Sequence, residues 1–478
     1  MNENTRIEKD LLGTMELPAD CLYGIETARA LSNFQVTGRP VRIELIAAMV
    51  LVKKAAALAN LDTERLSREK AEAILFACDE ILQDPEAFRS AFPADALQGG
   101  AGTTTNMNVN EVLANLGLKK MGRKPGEYSY LHPLDDVNLG QSTNDVYPTA
   151  LRIASIGLVR ALSQSCSRLQ ESLQRKEQEY SRIVKLGRTE MMDAVPITLG
   201  EEFGAYAQAI ARDRWRIYKA EERLRQINLG GTAVGNRNNT TRQYMYRVTD
   251  HLQVLTEYGL ARAEYPMDLT QNCDVFTEVS GLLKALAVSL IKICTDLRIM
   301  NSGPYGGLSE IHLKPLQEGS TIMPGKVNPV IPEMVTQAAL AAIADDNAIT
   351  SAASMGNFEL NAFMPLIADR LLDSLTVLDQ AVKSLQEKCI DPLEADASGC
   401  RKHLDHALIY ATVLSPYIGY EKASELAAEC GNDRQAFCRK VVQEGLMTSE
   451  ELHRILHAEK LDLDHEDSLS SETPLEND

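Results

Sequence analysis

The sequence predicts an all-α protein organised around a bundle of long helices. Apolar residues recur at helical spacing over long stretches, the alternation typical of strands is scarce, and aromatic residues make up only 5% of the chain. Three apolar stripes carry this pattern: Leu151, Leu158, Leu162, Cys166, Leu169 and Leu173; Leu282, Leu286, Leu290, Ile293, Leu297 and Met300; and Leu371, Leu375, Leu378, Val382, Leu385 and Cys389. Because a long helix with a wide apolar stripe is not stable alone, it must pack against others. We therefore predict a central long-helix bundle over residues 147–397.

Residues 1–146 form the predicted N-terminal domain, which is mostly helical. Residues 1–42 mix turn formers with short apolar runs, and we expect them to be irregular. Helical patterns follow over residues 43–60 and 67–83. The next segment, residues 99–106 (GGAGTTTN), is too rich in glycine and β-branched residues for a helix interior, so we expect a loop that leads into another helix.

The C-terminal part of the chain changes character after Asp391-Pro392. The apolar segments become shorter, and residues 398–460 are predicted to form a small helical domain. Residues 461–478 are acidic and poor in apolar side chains, so we expect a disordered tail.

Composition and charge exclude several classes of function. The chain of 478 residues has a formal net charge of −18, which argues against a nucleic-acid or anionic-membrane surface. A small anionic substrate remains possible, because a few local donors can reverse the field inside a pocket. Nine scattered cysteines without a C-x-x-C motif fit reduced thiols in a cytoplasmic protein. The N-terminus lacks the apolar core of a signal peptide, and no apolar run approaches the ~18 residues of a membrane span.

The loop at residues 319–329 (GSTIMPGKVNP) is the strongest candidate for chemistry. Pro324 excludes a helix, and the two glycines can adopt positive φ. The loop is not a phosphate-binding P-loop, because five residues separate the glycines and valine follows Lys326. It is not a Ser-x-x-Lys acylase either, because Met323 stands three residues after Ser320. The alternative is a structural connector whose hydroxyls cap the next helix.

Four polar loops considered together favour a binding site over a connector. The segments are residues 103–106, 142–144, 188–190 and 320–328, and each lies at the end of a predicted helix. They supply many hydroxyls and amides and one lysine. Such a set suits a small substrate with one or two carboxylates.

Metal and cofactor chemistry receive little support from the sequence. Cys400, His403 and His406 recur at steps of three residues, and His453 and His457 lie four apart on a predicted helix. Helix surfaces often produce such pairs, and no H-E-x-x-H or nucleotide motif is present. We predict no metal site and no cofactor.

Several segments resemble the aspartase/fumarase superfamily. GSTIMPGKVNP is similar to its GSSxMPxKxNP motif. Four further segments resemble the other blocks of this family in the correct order: residues 99–115, 132–150, 187–203 and 356–361. The start of the chain, residues 6–31, resembles the aspartate ammonia-lyases, and QSTND at 141–145 is nearer to them than to class II fumarases. The match covers almost the whole chain, and the motifs together are highly specific.

The resemblance implies a fold and an assembly. It implies a three-domain, all-helical subunit and a homotetramer whose central helices form a twenty-helix core. It also implies active sites built from loops of three subunits, without a cofactor. This expectation agrees with the predicted long-helix bundle, whose stripes need partners.

The resemblance also implies a reaction, the reversible elimination of ammonia from L-aspartate to give fumarate. A proton next to a carboxylate is removed, and the resulting aci-carboxylate must be stabilised by fixed donors. By analogy Ser320 is the base. The resemblance implies that one carboxylate, which gains charge, is bound by Thr103, Ser142, Thr143 and Thr321. It implies that Lys326 and Asn328 bind the second carboxylate. Asn144 and Thr189 are expected to lie near the amino group.

Two departures from the family pattern bear on specificity. Glu190 stands where His or Gln is usual, and relatives with His are expected to pair it with a glutamate at the position of Glu333. Two carboxylates in contact would repel, so one would hold a proton; alternatively Glu190 would bind a cationic group of the substrate. Thr321 stands where serine is usual, which adds a methyl group and predicts a tighter pocket.

Three alternatives to aspartate deamination stay open at this stage. The chain could be a class II fumarase, an ammonia-lyase for another amino acid, or a non-catalytic helical protein that kept the scaffold. The presence of Ser320, Lys326 and Asn328 argues against the last of these.

Overall fold

The computed structural model describes residues 5–405, 409–431 and 433–458. The N-terminal region begins with an antiparallel hairpin of β1 (Thr5–Asp10) and β2 (Gly13–Pro18), followed by helix α1 (Ile25–Asn33). The expectation of an irregular start is therefore wrong for the hairpin and α1, whereas residues 19–24 and 34–42 are irregular as expected. The hairpin turn is fixed by Asp10 Oδ1, which accepts a hydrogen bond from the N–H of Leu12 at 2.8 Å, and by Gly13 with φ of 124°.

The helices of the N-terminal region begin close to their predicted positions. Helices α2 (Ile43–Asp62) and α3 (Arg68–Gln83) confirm the two predicted patterns, and α3 starts after a Ser67 cap. Helix α4 (Thr103–Lys120) begins earlier than expected, so the predicted loop is only partly correct. Threonines are tolerated there because the N–H and hydroxyl of Thr105 both donate to Gln98 Oε1 at 2.9 Å, which satisfies a free N–H of the first turn.

The middle of the chain contains the predicted long helices. In chain order the elements are α5 (Thr143–Glu179), β3 (Val184–Thr189), β4 (Met192–Thr198), α6 (Leu199–Leu224), β5 (Gln226–Ile227), α7 (Arg242–Thr256), β6 (Ala261–Arg262), α8 (Pro266–Gln271), α9 (Asp274–Met300), β7 (Ile311–His312), α10 (Val330–Ala353) and α11 (Met364–Leu385). The stripes predicted on α5, α9 and α11 are buried, except that Leu158 and Leu282 are half-buried. This confirms the all-α fold class.

The C-terminal part consists of short elements, as predicted. These are β8 (Glu394–Ala395), α12 (Ala397–Asp405), α13 (Ile409–Ile418), α14 (Tyr420–Cys430), α15 (Arg434–Gln443) and α16 (Ser449–Ala458). Their apolar faces form a core around Tyr410, Leu414, Leu426 and Phe437. The predicted disordered tail lies outside the described residues. No helix in the described ranges is long and apolar enough to cross a membrane.

The chain divides into two compact units, each made of three stretches. Unit 1 contains residues 1–165, 213–288 and 337–381, and unit 2 contains the remaining stretches from 166 to 478. Because each unit combines separate stretches, the predicted domain boundaries after residues 146 and 397 stay a prediction.

Buried polar pairs connect the long helices inside each unit. In unit 1 the Ser165 hydroxyl of α5 donates to Asp379 of α11 at 2.6 Å. In unit 2 the Tyr206 hydroxyl of α6 donates to Asp296 of α9 at 2.8 Å. A buried polar group without its partner costs free energy, so such pairs favour one register between helices.

Candidate active site

In unit 1 the N-terminal ends of α4 and α5 come together. Asn106, in the first turn of α4, donates from Nδ2 to the Oγ1 of Thr143, the first residue of α5, at 3.2 Å. Gly102 precedes α4 with φ of 93°, and a Cβ there would stand 2.2 Å from the ring of Tyr147. Two helix N-termini therefore lie side by side with Thr103 and Thr143 at their first positions, and helix N-termini favour anions.

The turn that starts α5 is held by a buried carboxylate. Asp145 accepts from the N–H of Ser142 at 2.9 Å, and from the N–H groups of Gly230 and Thr232 at 3.0 and 2.9 Å. Asn144 Nδ2 donates to the carbonyl of Ala233 at 2.7 Å, so the 229–241 loop supports both residues. Burial raises the pKa of Asp145 to about 6, although these N–H groups favour its ionised form. Sequence reasoning missed Asp145, which the capping pattern Ser-x-x-Asp could have indicated.

A buried lysine adjoins the same helix ends. Lys53 Nζ donates to Asn138 Oδ1 at 2.8 Å, and Asn106 Nδ2 lies 3.2 Å from the same oxygen. Burial lowers the pKa of Lys53 to about 7, against the opposing effect of Asp145. Lys53 is therefore linked through two amides to Thr143. The sequence contains no pattern that distinguishes it from a surface lysine.

The cavity next to Thr143 and Asn144 is small. Its volume is about 10 Å³, and Leu360 of the 356–361 segment contributes to its lining. A space of this size holds about one water molecule and is too small for a four-carbon acid. The unit 1 residues therefore provide a cradle of donors and not an enclosed pocket.

In unit 2 Thr189 and Glu190 lie at the exposed tip of the β3–β4 hairpin. Glu190 and Met191 have φ of 54° and 66°, which are the values of a two-residue type I′ turn. The loop predicted at residues 188–190 is therefore only partly correct, because Arg188 and Thr189 end β3 and only Glu190 lies in the turn of the hairpin. The sequence did not indicate these strands, because short polar residues and a proline at 196 interrupt the alternation of apolar and polar residues that is typical of a strand.

A buried ion cluster, which sequence reasoning missed, anchors the base of this hairpin. The fully buried carboxylate of Glu310 lies 2.7 Å from Arg188 Nη1 and 2.7 Å from Lys185 Nζ. The pKa of Lys185 is raised, because the Glu202 and Glu310 carboxylates outweigh the opposing effect of burial. Leu186 of β3 packs into the core of the C-terminal helices. The tip that carries Glu190 thus extends from a fixed base.

The Ser320 loop, residues 319–329, is closed at its neck by two hydrogen bonds. The N–H of Gly319 donates to the carbonyl of Lys326 at 2.9 Å, and Asn328 Nδ2 donates to the carbonyl of Gly319 at 2.8 Å. A Cβ on Gly319 would stand 2.7 Å from the Lys326 carbonyl oxygen, so only glycine fits without a shift. The predicted loop is confirmed.

Inside this loop the Ser320 hydroxyl is surrounded by backbone donors. Ser320 Oγ accepts from the N–H groups of Ile322 and Met323 at 3.2 and 3.0 Å. Thr321 and Lys326 are exposed on the same loop. Donors aimed at an oxygen stabilise negative charge on it, so this arrangement can favour an alkoxide.

The remaining predicted residue, Glu333, lies in the first turn of α10. Its carboxylate is 3.8 Å from Arg298 Nη2. Among the described residues, no hydrogen bond or ion pair joins Thr189 or Glu190 to the Ser320 loop. The predicted site residues therefore form one polar group in unit 1, around Thr103 and residues 142–144, and further groups in unit 2.

The described ranges contain no group of three or more His, Cys, Asp or Glu side chains that could hold a metal ion. His403 contacts the Leu308 carbonyl through Nε2 at 2.8 Å, and His406 lies outside the described residues.

Comparison with known proteins identifies the family. The lyase family profile matches residues 13–343, and a profile for the C-terminus of fumarase C matches residues 411–461. The chain belongs to this lyase family, within the aspartase/fumarase superfamily. It is a carbon–nitrogen lyase.

The similar proteins match over nearly the whole chain. Aspartate ammonia-lyase from a Bacillus species is 42% identical over 457 residues, which cover 96% of this chain and 97% of that protein. The crystal structure of a fumarate lyase:delta crystallin from Brucella melitensis bound to cobalt has a TM-score of 0.91 at 39% identity, covering 96% of this chain and 100% of that one. A class II fumarase from Schistosoma mansoni has a TM-score of 0.90 at 30% identity, with the same coverage.

Proposed function

We propose that the protein is an aspartate ammonia-lyase, which reversibly eliminates ammonia from L-aspartate to give fumarate. The observation that carries this proposal is the 42% identity to an aspartate ammonia-lyase over 96% of the chain. The lower identity of 30% to a class II fumarase supports aspartate over malate as the substrate. The donors around Ser320 Oγ support the same chemistry.

The difficult step is removal of a weakly acidic proton from the carbon next to a carboxylate. Ser320, as an alkoxide held by the N–H groups of Ile322 and Met323, takes this proton. The electrons of the broken C–H bond delocalise into the carboxylate and form a dianionic aci-carboxylate. They then form the carbon–carbon double bond as the carbon–nitrogen bond breaks and ammonia leaves. No cofactor takes part in this sequence.

The substrate carboxylates are held by hydroxyls, helix ends and one lysine. Thr103, Ser142 and Thr143 at the paired helix N-termini, together with Thr321, hold the carboxylate that gains charge. Lys326 and Asn328 hold the other carboxylate. Asn144 and Thr189 lie near this second carboxylate and near the amino group of the substrate. Glu333 supports the residues around the hairpin tip.

The assembly that completes this site is a homotetramer with a twenty-helix core. The support is that Thr189, Glu190, Thr321 and Lys326 are half-exposed or exposed in one chain. Met191 and Met192, beside Glu190, are 68% and 69% exposed, as expected for a tip that inserts between subunits. Each active site then takes loops from three subunits. We place the tetramer in the cytoplasm, without nucleic-acid or membrane partners.

Glu190 favours a second candidate, an ammonia-lyase for another amino acid. Its carboxylate is exposed at the hairpin tip and forms no ion pair with any residue that the structure describes. A carboxylate at this position can bind a cationic group that aspartate lacks.

Turnover assays test these proposals. The purified protein is incubated with L-aspartate, malate and cationic amino acids, and fumarate or another unsaturated acid is followed by ultraviolet absorbance, with ammonia measured in parallel. Equimolar fumarate and ammonia from aspartate are expected. Fumarate from malate alone would replace the proposal by a fumarase, and ammonia from a cationic amino acid alone would establish the second candidate.

A further inference from the structure

Unit 1 contains a cavity of about 450 Å³ that none of the proposed lyase residues lines. It lies among the 229–241 loop, the first turns of α7 and the segment from β6 to α8. Its chemically active side chains are Arg237, Arg242, Tyr246, Arg262, Glu264 and Tyr265. Its volume is that of a site for a small metabolite.

The cavity concentrates positive charge in an acidic protein. None of Arg237, Arg242 and Arg262 forms an ion pair with a residue in the described ranges, and Glu264 does not neutralise them through an ion pair either. The chain as a whole carries a formal net charge of −18. Guanidinium groups that line one cavity without ion-pair partners repel one another, and an anion between them relieves this repulsion.

Tyr246 contacts two of the arginines. The Arg262 guanidinium carbon lies 3.7 Å from the centre of the Tyr246 ring, and Arg242 Nη2 donates to the Tyr246 hydroxyl at 3.3 Å. Both guanidinium groups lower the pKa of Tyr246, because they stabilise the phenolate. The aromatic ring therefore orients two cationic groups toward one cavity.

The backbone around the third arginine is also constrained. A Cβ on Gly235 would stand 2.4 Å from the backbone nitrogen of Met267, so the loop packs directly on the start of α8. Arg237 follows with φ of 67°, a left-handed conformation that a non-glycine residue rarely adopts. Arg242 is the first residue of α7, whose N-terminal end adds partial positive charge to the cavity.

We propose that this cavity binds a small molecule through a phosphate group held by Arg237, Arg242 and Arg262. Guanidinium groups bind phosphate oxygens in pairs, and three of them with a tyrosine hydroxyl and a helix N-terminus exceed what one carboxylate needs. The exposed ring of Tyr265 offers a face for a planar group attached to the phosphate. The ligand is either free phosphate or an aromatic phosphate ester.

The same loop connects this cavity to the candidate active site. Arg237 belongs to the 229–241 loop, whose Ala233 carbonyl holds Asn144 and whose Gly230 and Thr232 N–H groups hold Asp145. A ligand that fixes Arg237 therefore fixes the support of Asn144. This consequence rests on the proposed lyase function, whereas phosphate binding does not.

Binding is tested by titration calorimetry on the full-length protein at constant ionic strength. The probes are inorganic phosphate and adenosine 5′-monophosphate. We expect the double variant Arg242→Gln/Arg262→Gln to bind either probe at least about tenfold more weakly than the wild type. The matched control is Arg247→Gln, an exposed arginine of α7 that does not line the cavity.

The outcomes separate the sources of the phosphate. Tighter binding of the nucleotide than of inorganic phosphate supports an aromatic phosphate ester, and equal binding supports free phosphate. The proposal is overturned when the wild type binds neither probe, or when Arg247→Gln weakens binding as much as the double variant. Circular dichroism and thermal melting verify that the exposed substitutions leave the fold intact.

The link to the active site has its own measurement. We expect a saturating amount of the tighter probe to change the KM for aspartate at least about twofold in the wild type and not in the double variant. An unchanged KM in the wild type would overturn the link. Because calorimetry needs no turnover, a protein that binds phosphate but does not deaminate aspartate would contradict only the proposed function.

Discussion

The N–H of Met323 donates a hydrogen bond to Ser320 Oγ at 3.0 Å. A second donor, the N–H of Ile322, lies 3.2 Å from the same oxygen, within a loop whose neck is closed by Gly319 and Asn328. Serine is a poor base as a neutral hydroxyl, and fixed donors around its oxygen lower the free energy of the alkoxide. This environment distinguishes Ser320 from the neighbouring hydroxyl of Thr321, which is exposed.

We expect Ser320→Ala to lower kcat for aspartate by about 10²–10⁴-fold, the usual contribution of a general base. Light scattering should show the same oligomeric state as the wild type, because the substitution removes only one oxygen from a half-exposed side chain. The control is Ser424→Ala, an exposed serine of α14 whose hydroxyl donates within its own helix. A Ser320→Ala enzyme with near-normal kcat would contradict the assignment of the base.

We expect Glu190→Gln to change substrate preference. If the Glu190 carboxylate receives a cationic group, its neutral isostere should lower kcat/KM for cationic amino acids relative to aspartate by at least about tenfold. The control is Asp193→Asn, which removes another exposed carboxylate from β4 of the same hairpin. Identical substrate profiles for the wild type and Glu190→Gln would remove this role.

We expect Lys53→Met to alter the pH dependence of stability. The pKa of this buried lysine falls from 10.5 to about 7 on folding, so between pH 7 and 10 the unfolded chain binds more protons at this site than the folded chain. The free energy of unfolding of the wild type therefore increases as pH rises through that window. Lys53 contributes at most about 1.4 kcal/mol per pH unit to this increase. The variant should lack this gain when thermal midpoints are compared at pH 7 and pH 9.

The matched control for this prediction is Lys54→Met. Lys54 is the next residue, and it pairs with Asp79 near the surface. Its removal should leave the rise between pH 7 and pH 9 intact. Parallel pH profiles for the wild type and Lys53→Met would show that Lys53 is not the titrating group.

We expect Gly102→Ala to destabilise the protein and to reduce activity. Gly102 has φ of 93°, and the new Cβ would stand 2.2 Å from the buried ring of Tyr147. Gly122→Ala is the control, because Gly122 has φ of 71° but no atom within 4 Å of the added Cβ. The control measures the backbone penalty alone, about 1–2 kcal/mol, and Gly102→Ala should cost clearly more. Equal thermal midpoints for the two variants would contradict the close contact between α4 and α5.

The helical architecture was predictable because helix formation depends on a local, repeating pattern. Leu371, Leu378 and Leu385 recur at helical spacing and are completely buried on α11. The N-terminal hairpin was missed because its strands carry charges on both faces. Glu8 is buried there and pairs with Arg6 at 2.8 Å, so a charged pair stands on a face where the pattern of a strand calls for apolar residues.

The candidate site was predictable as a set of residues and not as an arrangement. Short motifs identified Thr103, Ser142, Lys326 and Asn328, because their residue types occur together in a recognisable order. The arrangement depends on contacts between distant residues: Asp145 holds the 229–241 loop through hydrogen bonds from Gly230 and Thr232, which lie 85 and 87 residues further along the chain. Glu310 and Arg188, 122 residues apart, form the ion pair at the hairpin base in the same way.

The sequence by itself determined the helical class and the family, and it predicts the site residues, because all three depend on periodicity and on short motifs. Tertiary structure alone decided which groups surround those residues. Asn144 Nδ2 reaches the carbonyl of Ala233, 89 residues away, only because the 229–241 loop packs against the start of α5. Arg237, Arg242 and Arg262 are unremarkable in the sequence, and they line one cavity only because loop, helix and strand pack together. Charge repulsion and desolvation act between groups that are close in space, so their effects follow the fold and not the order of the chain.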